Sequence, residues 1–271
     1  MKSFLAAAVQ LHAGTDKEAN VRAAAHWVEA AAAAGAELIA LPEVFAWRGP
    51  LDQERGHAEP VPGPTSDRMA ELARRLGIHL VAGSVLEAVP GQDRPFNTCL
   101  VFGPDGRRLA AYRKIHLFDI DLPGRVTVQE SASRGRGEDV VTAQTDLGHL
   151  GLAVCYDLRF PELFRRLGTA GAEIVVLPSA FTRPTGQAHW ETLVRARAIE
   201  NQCFLIAPNQ FGRSSGGIED YGNSLIVDPW GTVLARGEDE GAGFVMARLD
   251  ADVLGRVRRE LPALSHRRLT A

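Results

Sequence analysis

Apolar positions along the chain fall into short runs and helical stripes that alternate for most of its length. Residues 3–11 run apolar as a first strand, and Thr15-Asp16-Lys17-Glu18 then offers a capping box to an alanine-rich helix ending near Gly35. Glu37-Leu38-Ile39-Ala40-Leu41 predicts a buried strand that stops at Pro42, which places Glu43 just past a strand end. Pro64-Thr65-Ser66 opens a second helix that runs to Leu76 and stops at Gly77, and residues 78–85 return as a strand.

After residue 96 the rhythm changes. Two strand-like runs flank Gly103-Pro104-Asp105-Gly106, which predicts a hairpin, and a second hairpin turns at Asp146-Leu147-Gly148. Residues 115–138 between them are rich in Gly, Arg, Ser and Asp with little periodicity, and so long an irregular stretch predicts a functional loop. Beyond Cys155, Pro161 opens a helix to about Gly171, residues 173–177 form a strand, 187–201 a helix and 203–208 a strand. A third hairpin turns at Pro229-Trp230-Gly231, and residues 243–249 add a strand before a last helix. Helices interleaved with both parallel crossovers and hairpins predict an α/β fold of two mixed sheets packed face to face between helical layers. No repeat, linker or low-complexity block interrupts the pattern, so residues 1–271 read as one domain.

Composition narrows the partners. With 45% hydrophobic and 23% charged residues the chain buries a core without metals or disulfide staples. Its 30 basic and 33 acidic side chains give a formal charge of −3, no field for holding nucleic acid. The opening Met1-Lys2-Ser3-Phe4-Leu5 leads into a run too short for a membrane span and without a signal-cleavage pattern. Cys99, Cys155 and Cys203 cannot all pair, and none has metal-ligand spacing, so a cytoplasmic protein without metal or cofactor is expected.

Three residues carry candidate chemistry. Cys155 ends the apolar run Gly151-Leu152-Ala153-Val154 ahead of the helix at Pro161, where its sulfur projects at a sheet edge near backbone N–H groups; taken alone, it reads as a small core residue before it reads as a nucleophile. Glu43, bracketed by Leu41, Pro42, Val44 and Phe45, is expected to have a raised pKa suited to general base work, or else to be a solvated loop acid. Lys114 enters the long loop from a strand, where its ammonium can stabilise a thiolate and an oxyanion, or simply snorkel.

Together these segments resemble the nitrilase, or carbon–nitrogen hydrolase, superfamily. The resemblance lies in Leu41-Pro42-Glu43, Tyr112-Arg113-Lys114-Ile115-His116-Leu117-Phe118 and Gly151-Leu152-Ala153-Val154-Cys155-Tyr156-Asp157-Leu158-Arg159-Phe160-Pro161-Glu162, and it continues through Ala188-His189-Trp190-Glu191 and Asp228-Pro229-Trp230-Gly231. It implies an α-β-β-α sandwich that dimerises or assembles further, with interfaces at the helix after Pro161 and the C-terminal segment. It implies Glu43 as general base, Lys114 as acid and oxyanion donor, Cys155 as the nucleophile that forms an acyl thioester, and Glu130 as a second glutamate beside the lysine. It implies too that the backbone N–H of Tyr156, the residue after the nucleophile, completes the oxyanion site.

Asp119-Ile120-Asp121-Leu122-Pro123-Gly124 and Gln129-Glu130-Ser131 look like the omega-amidases, which act on 2-oxoglutaramate. Arg195-Ala196-Arg197-Ala198-Ile199-Glu200 and Ser265-His266-Arg267-Arg268 look like deaminated-glutathione amidases, the branch preferred. Either small amide substrate presents a 2-oxo acid, for which Arg159, Thr182 and Arg183 are candidate contacts; the alternatives are that Arg159 holds the turn by pairing with a local acid and that Arg183 is a solvated loop residue. A carbamoylase, a nitrilase and a noncatalytic binding scaffold are the rival readings. Gly212-Arg213-Ser214-Ser215-Gly216 matches a serine-hydrolase elbow in letters only, since no helix follows it. His116, His149, His189 and His266 are scattered and read as structural or surface residues, and Cys99 and Cys203 as core.

Overall fold

The computed structural model describes residues 1–269. Strand β1 (Phe4–Gln10) leads through helix α1 (Lys17–Ala33) to β2 (Leu38–Ala40). The buried positions of α1, Val21, Ala24, Val28 and Ala31, recur at steps of three and four, the stripe that lets a helix lie on a sheet. Asp16, not Thr15, caps it by accepting from the Ala19 N–H, and Glu18 turns outward to Arg68 instead of closing a capping box.

A short α2 (Glu54–His57) and α3 (Pro64–Leu76) precede β3 (His79–Glu87), β4 (Phe96–Phe102) and β5 (Arg108–Arg113). The stretch expected to be loop contains a small hairpin, β6 (Asp119–Leu122) with β7 (Val126–Gln129). Strands of four residues are too short for a two-residue period to stand out from a polar background, which is why the pattern missed them. Then come β8 (Thr142–Gln144), β9 (His149–Leu152), α4 (Pro161–Thr169), β10 (Ile174–Val176) and α5 (Arg183–Asn201). Helix α5 begins at Arg183 rather than Gln187, with Pro184 in its first turn. The chain finishes with β11 (Phe204–Ala207), the hairpin β12 (Phe211–Arg213) and β13 (Glu219–Tyr221), then β14 (Leu225–Val227), β15 (Val233–Arg236), β16 (Gly243–Leu249) and α6 (Ala251–Glu260).

Two six-stranded sheets result, ordered β16-β1-β2-β3-β4-β5 and β8-β9-β10-β11-β14-β15. Read in those orders, the pairings of each run antiparallel, parallel, parallel, antiparallel, antiparallel. One half of the fold therefore repeats the strand pattern of the other, although no sequence repeat announces it. Helices α1 and α3 cover the first sheet, and α4 and α5 the second. Alternation along β1 divides its side chains: Ala6 and Ala8 join the core shared with the second sheet, whose β11 and β14 lie against β1, while Ala7 and Val9 join the core beneath α1 and α3. The ends of β2, β9 and β10, one from the first sheet and two from the second, converge, since the Glu43 carboxylate accepts from the Ala180 N–H and the Cys155 N–H donates to Pro178 O. Functional groups of open α/β sheets gather at such carboxyl ends of parallel strands.

Candidate active site

Glu43 owes its place to the way β2 ends. Leu41 still donates to Val81 O, but Pro42 has no N–H to continue the ladder. Val44 then takes a left-handed conformation (φ 45°), costly for a β-branched residue, and its N–H is held by Ser84 Oγ at 2.9 Å. Gly83 makes this possible: a Cβ there would stand 2.0 Å from Pro42 O. The Glu43 carboxylate is buried, yet its oxygens meet donors rather than the apolar neighbours that flank it in sequence. Oε1 accepts from Asn97 Nδ2 at 2.7 Å and Lys114 Nζ at 2.9 Å, and Oε2 accepts from the Ala180 N–H at 3.0 Å.

Lys114 follows β5, pinned by its N–H to Asn97 O. Its ammonium, 2% exposed, reaches both oxygens of Glu130, at 3.1 and 2.9 Å, besides Glu43. Burial acts to discharge the amine, but the Glu130 and Glu43 carboxylates outweigh it and raise its pKa, so Lys114 is a fixed cation. Glu130 sits where β7 ends. Burial would raise its pKa, and Lys114, Arg134 and the Phe118 N–H, 2.6 Å away, more than reverse that and hold it ionised.

Cys155 opens a 3-10 turn, Cys155–Arg159, in a left-handed conformation (φ 47°). Burial and the Glu43 carboxylate push its thiol pKa well up, with Lys114 pulling the other way, a balance that favours the thiol over the thiolate. None of the hydrogen bonds of the described residues uses the Tyr156 N–H of that turn. Asp157, wholly buried, ties the cysteine and lysine segments together: it accepts from the Val154 N–H (2.8 Å), Tyr112 OH (2.7 Å) and the His116 N–H (3.1 Å), and meets His116 Nδ1 at 2.7 Å. His116 also stacks on Phe160 and belongs to this scaffold.

Glu43, Lys114, Glu130, Cys155 and Thr182 line one cavity of about 40 Å3, together with Arg48, Arg134 and the apolar Leu51, Phe118, Val128 and Ile218. It shares Thr182 and Ile218 with a wider outer cavity of about 600 Å3 that Arg183 lines. A hollow of about 610 Å3 beside Glu87 and Arg113 contains none of these groups, so size alone does not mark the site. Arg183 is not at the small cavity: it faces Glu219 at 2.7 Å, with Asp239 and Glu240 beyond. Arg159 has no carboxylate within ion-pair distance among the described residues; its guanidinium stacks over Tyr156 and Phe181 and meets His189 Nδ1 at 3.2 Å. Gly212 to Gly216 lies in the turn between β12 and β13.

Several groups were not foreseen in the sequence: Asn97, Asp157, Arg134 with Glu54, and Arg48, whose Nη2 donates to Asp220 at 2.6 Å. Burial pushes the Asp220 carboxyl up to about 6 against the pull of Arg48. Among the described residues no helix is long and apolar enough to cross a membrane, and no group of three or more His, Cys, Asp or Glu is placed to hold a metal ion. A thiol, a carboxylate and an ammonium around one small chamber, with a free backbone N–H, can perform acyl transfer through sulfur.

Comparison with known proteins agrees with that chemistry. Residues 5–259 match the carbon–nitrogen hydrolase family. The chain is 43% identical over 271 residues to a deaminated glutathione amidase of Homo sapiens, covering 97% of this chain and 82% of that protein. It is 38% identical over 268 residues to a human omega-amidase, covering 99% and 96%. The structure of Saccharomyces cerevisiae Nit3, a member of branch 10 of the nitrilase superfamily, superposes with a TM-score of 0.89 at 33% identity, covering 99% of this chain and 97% of that one.

Proposed function

Because the chain belongs to the carbon–nitrogen hydrolase family and is an amide-hydrolysing enzyme, we propose that Cys155, Glu43 and Lys114 carry the reaction and that Glu130 orients the lysine. The observation that supports this best is the shared chamber: Glu43 is held by three donors beside a Cys155 thiol whose proton it is placed to take. In this reading Cys155 Sγ attacks the amide carbonyl as its proton passes to Glu43. The oxyanion is received by Lys114 Nζ and the Tyr156 N–H. Collapse expels the amine, which takes the proton from Glu43, and leaves an acyl thioester; Glu43 then activates the water that releases the acid and restores the thiol.

For substrate we propose deaminated glutathione. Arg159, unpaired with any acid among the described residues, and the Thr182 hydroxyl are the contacts for the 2-oxo acid, and the outer cavity has room for a leaving group larger than ammonia. Arg183 serves less directly, because three acids already surround it. The second reading is 2-oxoglutaramate, favoured by the similarity to an omega-amidase. We further read residues 1–271 as one catalytic domain, acting in the cytoplasm as a homodimer or larger homo-oligomer; three buried unpaired cysteines support the compartment, and sedimentation velocity tests the assembly.

The test is release of 2-oxoglutarate from deaminated glutathione and from 2-oxoglutaramate by wild type and Cys155→Ala. Preference for the former, lost in the variant, supports the reading. Preference for the latter moves the enzyme to the omega-amidases. Undiminished turnover by Cys155→Ala overturns the assignment of the nucleophile.

A further inference from the structure

Behind the reacting groups, five buried side chains form a row of alternating charge: Glu43, Lys114, Glu130, Arg134 and Glu54, none more than 5% exposed. Arg134 forks between two carboxylates. Its Nε and Nη2 take both oxygens of Glu54, at 2.7 and 2.5 Å, while Nη1 donates to Glu130 Oε1. Glu54 opens α2 and Arg134 follows the turn after β7, so the pair joins segments 80 residues apart against the back of the site.

We propose that Arg134 and Glu54 are positioning residues for the reaction: Arg134 braces Glu130, and through it Lys114, while Glu54 holds the guanidinium in the fork that does so. The proposal rests on the roles given to Lys114 and Glu130 above. Glu130 is faced by the Lys114 ammonium, the Arg134 guanidinium and the Phe118 N–H, with Glu43, Cys155 and Glu54 one contact further away. Without Arg134, Oε1 of Glu130 keeps only the 3.1 Å bond to Lys114, and the carboxylate is free to turn and to take a proton. Lys114 would then lose one of its two anchors and with it its fixed place beside Glu43. Were the pair only a tie between loops, apolar packing of the same volume would serve as well. The contact with the carboxylate that grips Lys114 is what an apolar tie would lack.

The test uses Glu54→Gln/Arg134→Gln, which leaves no unpaired charge at either end of the removed pair, together with Arg134→Lys, Glu54→Gln and Glu130→Gln. Melting curves establish folding. Turnover of deaminated glutathione and 2-oxoglutaramate is followed across pH, and labelling of Cys155 by iodoacetamide, mapped by mass spectrometry apart from Cys99 and Cys203, gives a readout that needs no substrate.

In the folded double variant kcat and the labelling rate should each fall about tenfold or more with KM little changed. The acid limb of the kcat profile should move up by about 1 unit, and Arg134→Lys should restore it by returning a cation to Glu130. Wild-type kcat, acid limb and labelling in the double variant overturn the proposal. If the double variant does not fold, Glu54→Gln decides, with wild-type kcat and labelling rate counting against. Wild-type activity in Glu130→Gln removes the site reading itself, whereas loss there with none in the Arg134 variants removes only the bracing role.

Discussion

Glu43 and Asn97 meet at 2.7 Å through the same carboxylate oxygen that Lys114 reaches at 2.9 Å, so the carboxylate is held by a neutral donor as well as by the cation. Asn97 lies on β4, wholly buried, with no other role for its amide nitrogen among the hydrogen bonds of the described residues. Asn97→Ala should let Glu43 lean on Lys114, lowering kcat about tenfold and stability by about 1–3 kcal/mol. Steady-state kinetics and urea unfolding measure both; unchanged kcat in the folded variant would take Asn97 out of the site.

Gly83 should tolerate no side chain. Its φ is +48°, and an added Cβ falls 2.0 Å from Pro42 O, on the segment that carries Glu43. Gly83→Ala combines backbone strain with overpacking and is expected to cost about 3 kcal/mol or more. Its kcat should fall with its melting temperature, because the shifted atom is one residue from Glu43.

At Cys155 the usual order of glycine and alanine should reverse. Glycine ordinarily destabilises relative to alanine, but a left-handed residue carries a penalty of about 1–2 kcal/mol that glycine escapes. Both variants are expected to be inactive, with Cys155→Gly at least as stable as Cys155→Ala. A lower denaturation midpoint for the glycine variant would mean that no strain resides there.

Glu87 gives the acid side of the stability curve a testable slope. Burial would raise its pKa, but hydrogen bonds from Arg113 at 2.8 and 2.9 Å and from Thr98 at 2.7 Å bring it below its ordinary value. A folded-state pKa lowered in this way adds stability that is complete above the unfolded value of 4.5 and is lost as pH falls through the lower folded value. Glu87→Gln should therefore be less stable near neutrality and lose less on acidification. Unfolding free energies between about pH 3 and about pH 7 check this.

The frame of the site was legible because strand ends leave local marks. Pro42 stops β2 one residue before Glu43, and the apolar run before Cys155 together with Pro161 brackets the turn that holds the sulfur. What stayed hidden is nonlocal. Asn97 sits inside an apolar strand, and Arg134 and Glu54 look like surface charges until the fold brings them together from 80 positions apart. Asp157 left the nearest thing to a signal, an acid two places after the cysteine among apolar neighbours. The shared strand pattern of the two sheets could not be read either, since alternation of apolar and polar positions looks alike in any strand and says nothing of pairing order.

The two small hairpins at the mouth of the chamber bear on how such an enzyme diversifies. Val128 on β7 and Ile218 in the turn after β12 present apolar side chains to the chamber, while Glu43 and Lys114 stand at the ends of β2 and β5 in the layered frame behind them. Exchanging those two side chains reshapes what is admitted while Glu43 and Lys114 keep their places on the sheets. Selection for a new amide can thus act on the jaws and leave the vice intact.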